Sequence, residues 1–507
     1  MRNEVIFTVN GQELRASADE ASLMLAEFLR KRKNLPGTKI VCAEGDCGAC
    51  TLLKAAPFEA QSRKSPRYLP VNSCIIPVAS LDGSRLVTVD GLADQSATSA
   101  TQNKTETLHP VQTALIKCHG SQCGFCTPGF VMALAGLVEE RLAKKETSEP
   151  ISEREAKNAL TANLCRCTGY QPIVNAACSI NLKECVSIDQ RANTKSQLAT
   201  LKGVIQKPLF LETSEFQFFA PTKIEDAGRF MKKNSDAQLL SGATDLGVLH
   251  NKRKQKFTKL VSLHLIPELY KIQKKGSSRV NVGARVTLSE VREFLKETLI
   301  PEFARFLDLF ASPQIKNQAT LVGNLANASP IGDTSPFLLV AGTVIHTFNG
   351  RETGTKRRRK IPIEEFFLGY RKTSLKKGEF ITSLEFDIPA KAEYLVLKKV
   401  SQRKDLDIST VNAAFRVKPD RTGTRILEAR VAFGGVAATP LRIEALEKAL
   451  EKKSISELNI EDLAEMIHAS ITPLSDVRSS SAFRRVTAEN LLRRFIEQLQ
   501  AGKAASK

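Results

Sequence analysis

The sequence predicts a multidomain α+β protein, and three observations lead to it. All eleven cysteines of the 507-residue chain lie between Cys42 and Cys185. Sequence before Leu92 alternates polar and apolar residues as strands do, whereas Val111 to Asn163 carries apolar residues at helical spacing. Beyond Lys207, strand and helix patterns mix in sequence that contains no cysteine.

Taken in order, Glu4 to Leu14 alternates through Val5, Phe7 and Val9 and then offers Asn10-Gly11, a hairpin signal because both residues tolerate positive φ. Leu23, Leu25, Phe28 and Leu29 follow at helical spacing. Arg30 to Lys33 suit the negative end of that helix. Cys50 to Lys54 and Leu86 to Val89 are short strand candidates.

Among these elements stands Cys42-Ala-Glu-Gly-Asp-Cys47-Gly-Ala-Cys50, completed by Cys74. This is the spacing of a plant-type [2Fe–2S] cluster, so residues 1–92 read as a β-grasp, ferredoxin-like domain. Three thiolates on one short loop demand tight backbone, which Gly45 and Gly48 supply, and their amides are placed to face bridging sulfides. A zinc site is the alternative; its ligands usually form two short knuckles, unlike three crowded cysteines and a distant fourth.

The second pattern pairs Cys123-Gly-Phe-Cys126 with Cys165-Arg-Cys167, in an all-α, four-helix setting over residues 93–185. Helices are expected over Val111 to Lys117, Gly129 to Lys144 and Glu153 to Asn163. Pro128 suits a first turn, and Ser152 with Glu155 forms a capping-box pattern. A helix N-terminus favours a nearby thiolate, so Cys126 and Cys123 read as ionised ligands. The alternative for Cys123 and Cys126 alone, a thioredoxin-like redox pair, lacks the surrounding βαβ pattern.

Cys118, Cys178 and Cys185 fall outside both patterns and read as small buried hydrophobes. The odd, clustered total argues against a disulfide framework and, with no signal segment at Met1 to Asn10, points to a reducing cytoplasm. Apolar runs such as Phe337 to Ile345 are too short to cross a membrane. Residues 186–208 turn polar without a clear period and read as a linker.

Past the linker, Gln238 to Gly247 places a strand before a glycine-bearing turn and a helix, a geometry that directs amides at a phosphate. Gln318 to Asp333 repeats the glycine turn and adds Asn and Asp side chains able to bind a sugar or polyol; alone, it reads equally as a polar loop. Neither run is a Gly-x-Gly-x-x-Gly fingerprint, and no Gly-Lys-Ser/Thr phosphate loop occurs. Strands up to Arg416 and helices from Ala438 complete an α+β C-terminal part.

The runs His109-Pro-Val-Gln112, His119 to Gly129 and Asn163 to Pro172 closely resemble the helical [2Fe–2S] domain of the xanthine dehydrogenase and aldehyde oxidase family, and Cys42 to Cys50 resembles its ferredoxin domain. The two glycine-bearing runs resemble the vanillyl-alcohol-oxidase-type FAD-binding domain, and Phe366 to Arg371, Ala432 to Arg442 and Ser475 to Arg485 resemble the C-terminal flavoprotein domain. The resemblance implies an FAD-binding domain at 209–390 and a CO-dehydrogenase-flavoprotein-like domain at 391–500. It implies that Cys123, Cys126, Cys165 and Cys167 hold a cluster nearer molybdenum, with Gln122 beside the molybdopterin. Cys42, Cys47, Cys50 and Cys74 then hold the cluster nearer flavin. It further implies FAD contacts from Leu239, Leu240, Ser241, Gly242, Ala243, Thr244, Asp245, Leu246, Phe310, Thr320, Leu321, Val322, Gly323, Asn324, Asp333, Ile381 and Lys399. Among these, turn amides would hold the pyrophosphate, Asp333 a hydroxyl, and Phe310 would cover part of the flavin.

In single-chain family members a molybdopterin-binding portion follows the flavin part, and the sequence stops after Leu499 with a short polar tail. The resemblance therefore implies a small subunit whose molybdopterin cofactor sits on a large subunit, in a heterotetramer. Electrons would pass from molybdenum through two clusters to FAD and then NAD as hypoxanthine and xanthine become urate. The alternative is another molybdenum hydroxylase of the same build, acting on an aldehyde or N-heterocycle. No residue here is expected to perform the substrate's oxidation. A third reading is a zinc-stapled scaffold with a relic flavin fold.

A net charge of +20 permits nucleic-acid binding, but the basic residues are dispersed and no nucleic-acid motif accompanies them, so none is expected. The dense run Lys356 to Lys360 reads as a solvated loop.

Overall fold

Asn10 and Gly11 take left-handed φ values of 50° and 81°, closing the expected hairpin between strands Val5–Val9 and Gln12–Ala16. The computed structural model describes residues 1–58, 68–93, 108–191, 194–296 and 299–502. It falls into two units, Met1–Pro267 with Ser312–Ala319, and Glu268–Ala311 with Thr320–Lys507.

In the first unit, Val5–Val9 lies inside a five-stranded sheet ordered Gln12–Ala16, Val5–Val9, Arg85–Val87, Thr51–Ala55, Leu69–Asn72. It pairs in parallel with Arg85–Val87. Val5, Phe7 and Val9 pack with Leu25, Phe28 and Leu29 of the helix Leu25–Arg32. Ile6, on the opposite side of the pleat, packs with Leu201 and Val204. Those two residues belong to a helix, Thr194–Val204, in the stretch expected to be a linker; a shorter helix spans Ile188–Arg191. Part of residues 186–208, expected to be an irregular polar linker, is thus helical. Residues 94–107, which follow the β-rich domain, and Asn193 lie outside the described residues.

Helices Pro110–Lys117, Thr127–Lys144, Glu153–Ala159 and Gln171–Cys178 form the helical domain. Thr127–Lys144 is buried continuously from Gly129 to Glu139 and shares one core with the other three. The third helix stops four residues before Asn163. Ser152 Oγ accepts from the Glu155 N–H at 3.3 Å, but Glu155 pairs with Arg141 at 3.1 Å, so only half of the expected capping box forms.

Also in this unit, Leu209–Glu212, Gln217–Ala220, Lys259–Ser262 and Gln238–Leu240 make a four-stranded sheet, parallel across its last three strands. Helix Thr244–Arg253 follows Gln238–Leu240.

The second unit holds an antiparallel sheet ordered Ile272–Lys275, Arg279–Gly283, Glu379–Asp387, Val344–Asn349, Arg358–Pro362. The basic run is corrected here: Arg358 to Lys360 form an edge strand, and Arg359 pairs with buried Glu379 at 2.8 Å. A second sheet comprises Tyr394–Val400, Val411–Pro419, Ile426–Gly434 and Leu441–Arg442. Strands therefore continue past Arg416, and the closing helices begin at Glu444. Helix Ser481–Gln500 packs Phe495 against Phe415, ring centroids 4.4 Å apart. Among the described residues no helix is long and apolar enough to cross a membrane.

Candidate functional site

The loop carrying Cys42, Cys47 and Cys50 runs into strand Thr51–Ala55, while a single 3₁₀ turn, Ser73–Ile75, presents Cys74. Gly45 and Gly48 take φ values of +79° and +67°. Positive φ favours glycine at both, and at Gly48 a Cβ would also meet Ala162 O at 2.7 Å, so that position needs glycine twice over. The Cys47 N–H donates to Cys42 Sγ at 3.4 Å. Hydrogen bonds from Cys47 and Cys74 hold the Cys42 thiol far below its ordinary range. The hydrogen bond with Cys42, then burial, drives Cys47 up; hydrogen bonds with Cys42 and Cys50, then burial, drive up Cys74. Four crowded thiols cannot ionise together unaided, and bound iron would supply the positive charge that allows it.

In the second set Cys123 Sγ stands 3.6 Å from Cys167 Sγ. Cys126 hydrogen-bonds Cys165. Among the described residues no three His, Cys, Asp or Glu side chains converge as ligands of a single ion. Thiols set in pairs suit instead a two-iron cluster, in which each iron takes two protein sulfurs. Cys126 is the N-cap of Thr127–Lys144; burial, then the neighbouring Cys165, push its thiol up to about 12, a shift that the charge of bound iron would oppose. Cys165 is the thiol held low. Burial acts to raise it, but hydrogen bonds with Thr168 outweigh that, the Thr168 Oγ1 lying 3.3 Å from its sulfur.

The two sets are joined by backbone. Leu164, beside Cys165, donates its N–H to Cys47 O at 3.1 Å. Asn163 Nδ2 donates to Gly48 O at 3.2 Å, and fully buried Gln314 donates to Asn163 Oδ1 at 3.1 Å. A Cβ on Gly129 would overlap Gly48 O and lie 3.0 Å from Ala49 Cα, which locks the long helix onto the first loop. Of the remaining cysteines, Cys185 is buried as expected, while Cys118 and Cys178 are only half-buried.

Of the expected flavin contacts, Leu239 and Leu240 end strand Gln238–Leu240, Ser241 to Ala243 make the turn, and Thr244 to Leu246 open a helix. Ala243 takes a left-handed φ of 63°. A Cβ on Gly242 would not enter open space: it would overlap Gln318 O and lie 3.0 Å from Ala319 Cα. Gly242 is therefore required by backbone packing.

The second unit holds Phe310, Thr320 to Asn324, Asp333, Ile381 and Lys399. Thr320 Oγ1 accepts from the Gly323 N–H at 3.0 Å, and Asn324 Oδ1 accepts from Thr334 Oγ1 at 2.6 Å. Within 4 Å a Cβ on Gly323 would meet only Thr320 Oγ1, at 2.9 Å, so this turn keeps an open face. Buried Lys399 donates to Asp333 at 2.7 Å and to Leu309 O, next to Phe310, at 3.2 Å. Asp333 also accepts from Ser409 and, at 3.1 Å, from Asn412. Its lone pairs leave room for one more donor, such as a ribityl or ribose hydroxyl. Ile381 is buried in strand Glu379–Asp387, opposite Thr347. Sequence reading missed Ser409 and Asn412, which belong to no local motif; the fold brings the start of strand Val411–Pro419 and the residues just before it to Asp333.

Two sets of four thiols and two glycine turns define an iron–sulfur flavoprotein. Four family descriptions match the chain: a 2Fe-2S iron-sulfur cluster binding domain at 7–79, a [2Fe-2S] binding domain at 88–178, the FAD binding domain in molybdopterin dehydrogenase at 214–390, and the CO dehydrogenase flavoprotein C-terminal domain at 397–499. The four matches together make the chain the electron-transferring [2Fe–2S] and FAD part of a molybdenum hydroxylase.

It is 29% identical to a xanthine dehydrogenase of Drosophila pseudoobscura pseudoobscura over 92% of this chain and 37% of that protein. To a xanthine dehydrogenase/oxidase of Rattus norvegicus it is 30% identical over 90% of this chain and 36% of the relative. The chain thus spans little more than a third of these relatives. A reconstituted CO dehydrogenase from Oligotropha carboxidovorans superposes with TM-score 0.52 and 26% identity, over 57% of this chain and 99% of that chain. Quinoline 2-oxidoreductase from Pseudomonas putida 86, at TM-score 0.51, 24% identity and 58% of this chain against all of that chain (100%), shares the fold.

Proposed function

We propose that this chain is the small subunit of a xanthine dehydrogenase, carrying electrons from a molybdopterin centre on a separate large subunit through two [2Fe–2S] clusters and FAD to NAD. The net reaction oxidises hypoxanthine and xanthine to urate. Cys42, Cys47, Cys50 and Cys74 would hold one cluster, and Cys123, Cys126, Cys165 and Cys167 the other. FAD would lie on the turns at 239–246 and 320–324, with Asp333 and Lys399 orienting polar groups and Phe310 and Ile381 supplying apolar contact. Bound there, the metal clusters supply one-electron steps and FAD links them to a two-electron acceptor.

The observation that carries the reading is the placement of the second thiol set. Cys123 and Cys167 are exposed, and Phe125, Leu164 and Tyr170 beside these ligands are exposed by 51%, 49% and 38%. Apolar side chains around exposed ligands suit a docking partner that delivers electrons there. From that rim the Leu164 to Cys47 hydrogen bond leads to the first set. Similarity to xanthine dehydrogenases at 29% and 30% identity supports the substrate. Likeness to CO dehydrogenase at 26% identity favours the second reading, a molybdenum hydroxylase with another substrate such as an aldehyde or N-heterocycle.

Purified with its native partner in the proposed heterotetramer, the protein is expected to form urate from xanthine while reducing NAD, with molybdenum present. Turnover of an aldehyde or N-heterocycle but not xanthine selects the second reading. Turnover at the flavin without bound molybdenum overturns both.

A further inference from the structure

Helix Thr244–Arg253, which follows the first glycine turn, lies directly on the first thiol set. A Cβ on Gly247 would overlap Ile75 O and stand 2.8 Å from Ile75 Cβ, so the helix backbone touches the turn that presents Cys74. Val248 packs into a small core with Cys50, Cys74 and Ile75. One turn beyond Gly247, on the same face, stands Asn251. Its Nδ2 donates to Ala43 O at 2.9 Å and to Cys74 O at 2.8 Å. Ala43 follows Cys42 and is held at a left-handed φ of 55°, a conformation that a non-glycine residue keeps only when its surroundings impose it.

One amide group thus spends both protons on two carbonyls, one next to Cys42 and one on Cys74 itself. At position 251 a Leu or Val would leave both carbonyls without this donor, and an Asp would repel them. Resting on the function proposed above, we propose that Asn251 is a positioning residue for the first cluster. It clamps the two segments that carry Cys42 and Cys74 to the helix of the flavin turn, and by drawing charge out of their carbonyls it raises the cluster's reduction potential. The sign follows from charge: a reduced cluster is more negative, so partly neutralised carbonyl dipoles nearby favour reduction.

The test is redox titration of the full chain with its clusters, followed by electron paramagnetic resonance, for Asn251→Leu and the isosteric Asn251→Asp. A Cys47→Ser control identifies the first cluster's signal. Expected is about a tenfold fall in the equilibrium constant for reducing that cluster, roughly 59 mV for one electron, with the second cluster unmoved. Loss of the first signal alone also supports the clamp. Unchanged potentials in a variant that retains both clusters overturn the proposal, as does loss of both signals in both variants, which would assign Asn251 to folding alone. A wild-type protein without two distinct signals would instead overturn the function on which it rests.

Discussion

Cys47 and Cys126 belong to different thiol sets, and each has its own partners: Cys42 and the loop amides for one, Cys165 for the other. Serine at either position deletes one soft ligand from one cluster only. Cys47→Ser and Cys126→Ser are therefore each expected to abolish one of two paramagnetic signals in the reduced protein, with iron content falling by about half; loss of both signals from either change would contradict separate sites. The sulfur atoms also show where residue-level reading stops. A helix N-terminus favours a thiolate, while burial and a second sulfur oppose it at Cys126, and Cys165 is lowered by Thr168, the residue directly after the Cys-x-Cys pair. The spacing of ligands is local information; the balance of burial against hydrogen bonding at each sulfur is not.

At the scale of elements, the glycine turn after Gln238–Leu240 was legible because strand, glycine and helix follow one another in the chain. What glycine does there was not, since Gln318 and Ala319 arrive from far along the sequence. Gly242→Val forces two backbones apart, an overpacking cost of about 1–3 kcal/mol. Because Ala319 runs straight into the turn at Thr320, the variant is expected to lose FAD while keeping its iron, seen as loss of flavin absorbance at unchanged iron per chain. Retained flavin would show that the turn tolerates this displacement. The helix Thr194–Val204 makes the same point in reverse: Leu201 and Val204 pack on Ile6, a contact between residues far apart in the chain. Ser152 caps its helix as expected, but Arg141 claims the Glu155 that would have completed the box.

For the molecule as a whole, the exposed apolar residues beside Cys123 and Cys167 have a consequence that no motif states. Charge placed in a desolvated contact is costly, so Phe125→Asp or Leu164→Asp is expected to weaken association with the molybdenum-bearing partner at least about tenfold, roughly 1.4 kcal/mol. Gel filtration of the co-expressed proteins measures this, and both cluster signals should persist in the free chain. Intact association would move the docking surface elsewhere. The sequence by itself determined the eight clustered thiols, the ferredoxin-like and helical domains around them, and the flavin-type turns, because ligand spacing, periodicity and turn chemistry are properties of neighbours in the chain. Only the tertiary structure decided that Leu164 meets Cys47, that Asn251 bridges Ala43 and Cys74, and that Lys399, Ser409 and Asn412 converge on Asp333. Those contacts join residues far apart in sequence, and a hydrogen bond depends on where folded backbones meet.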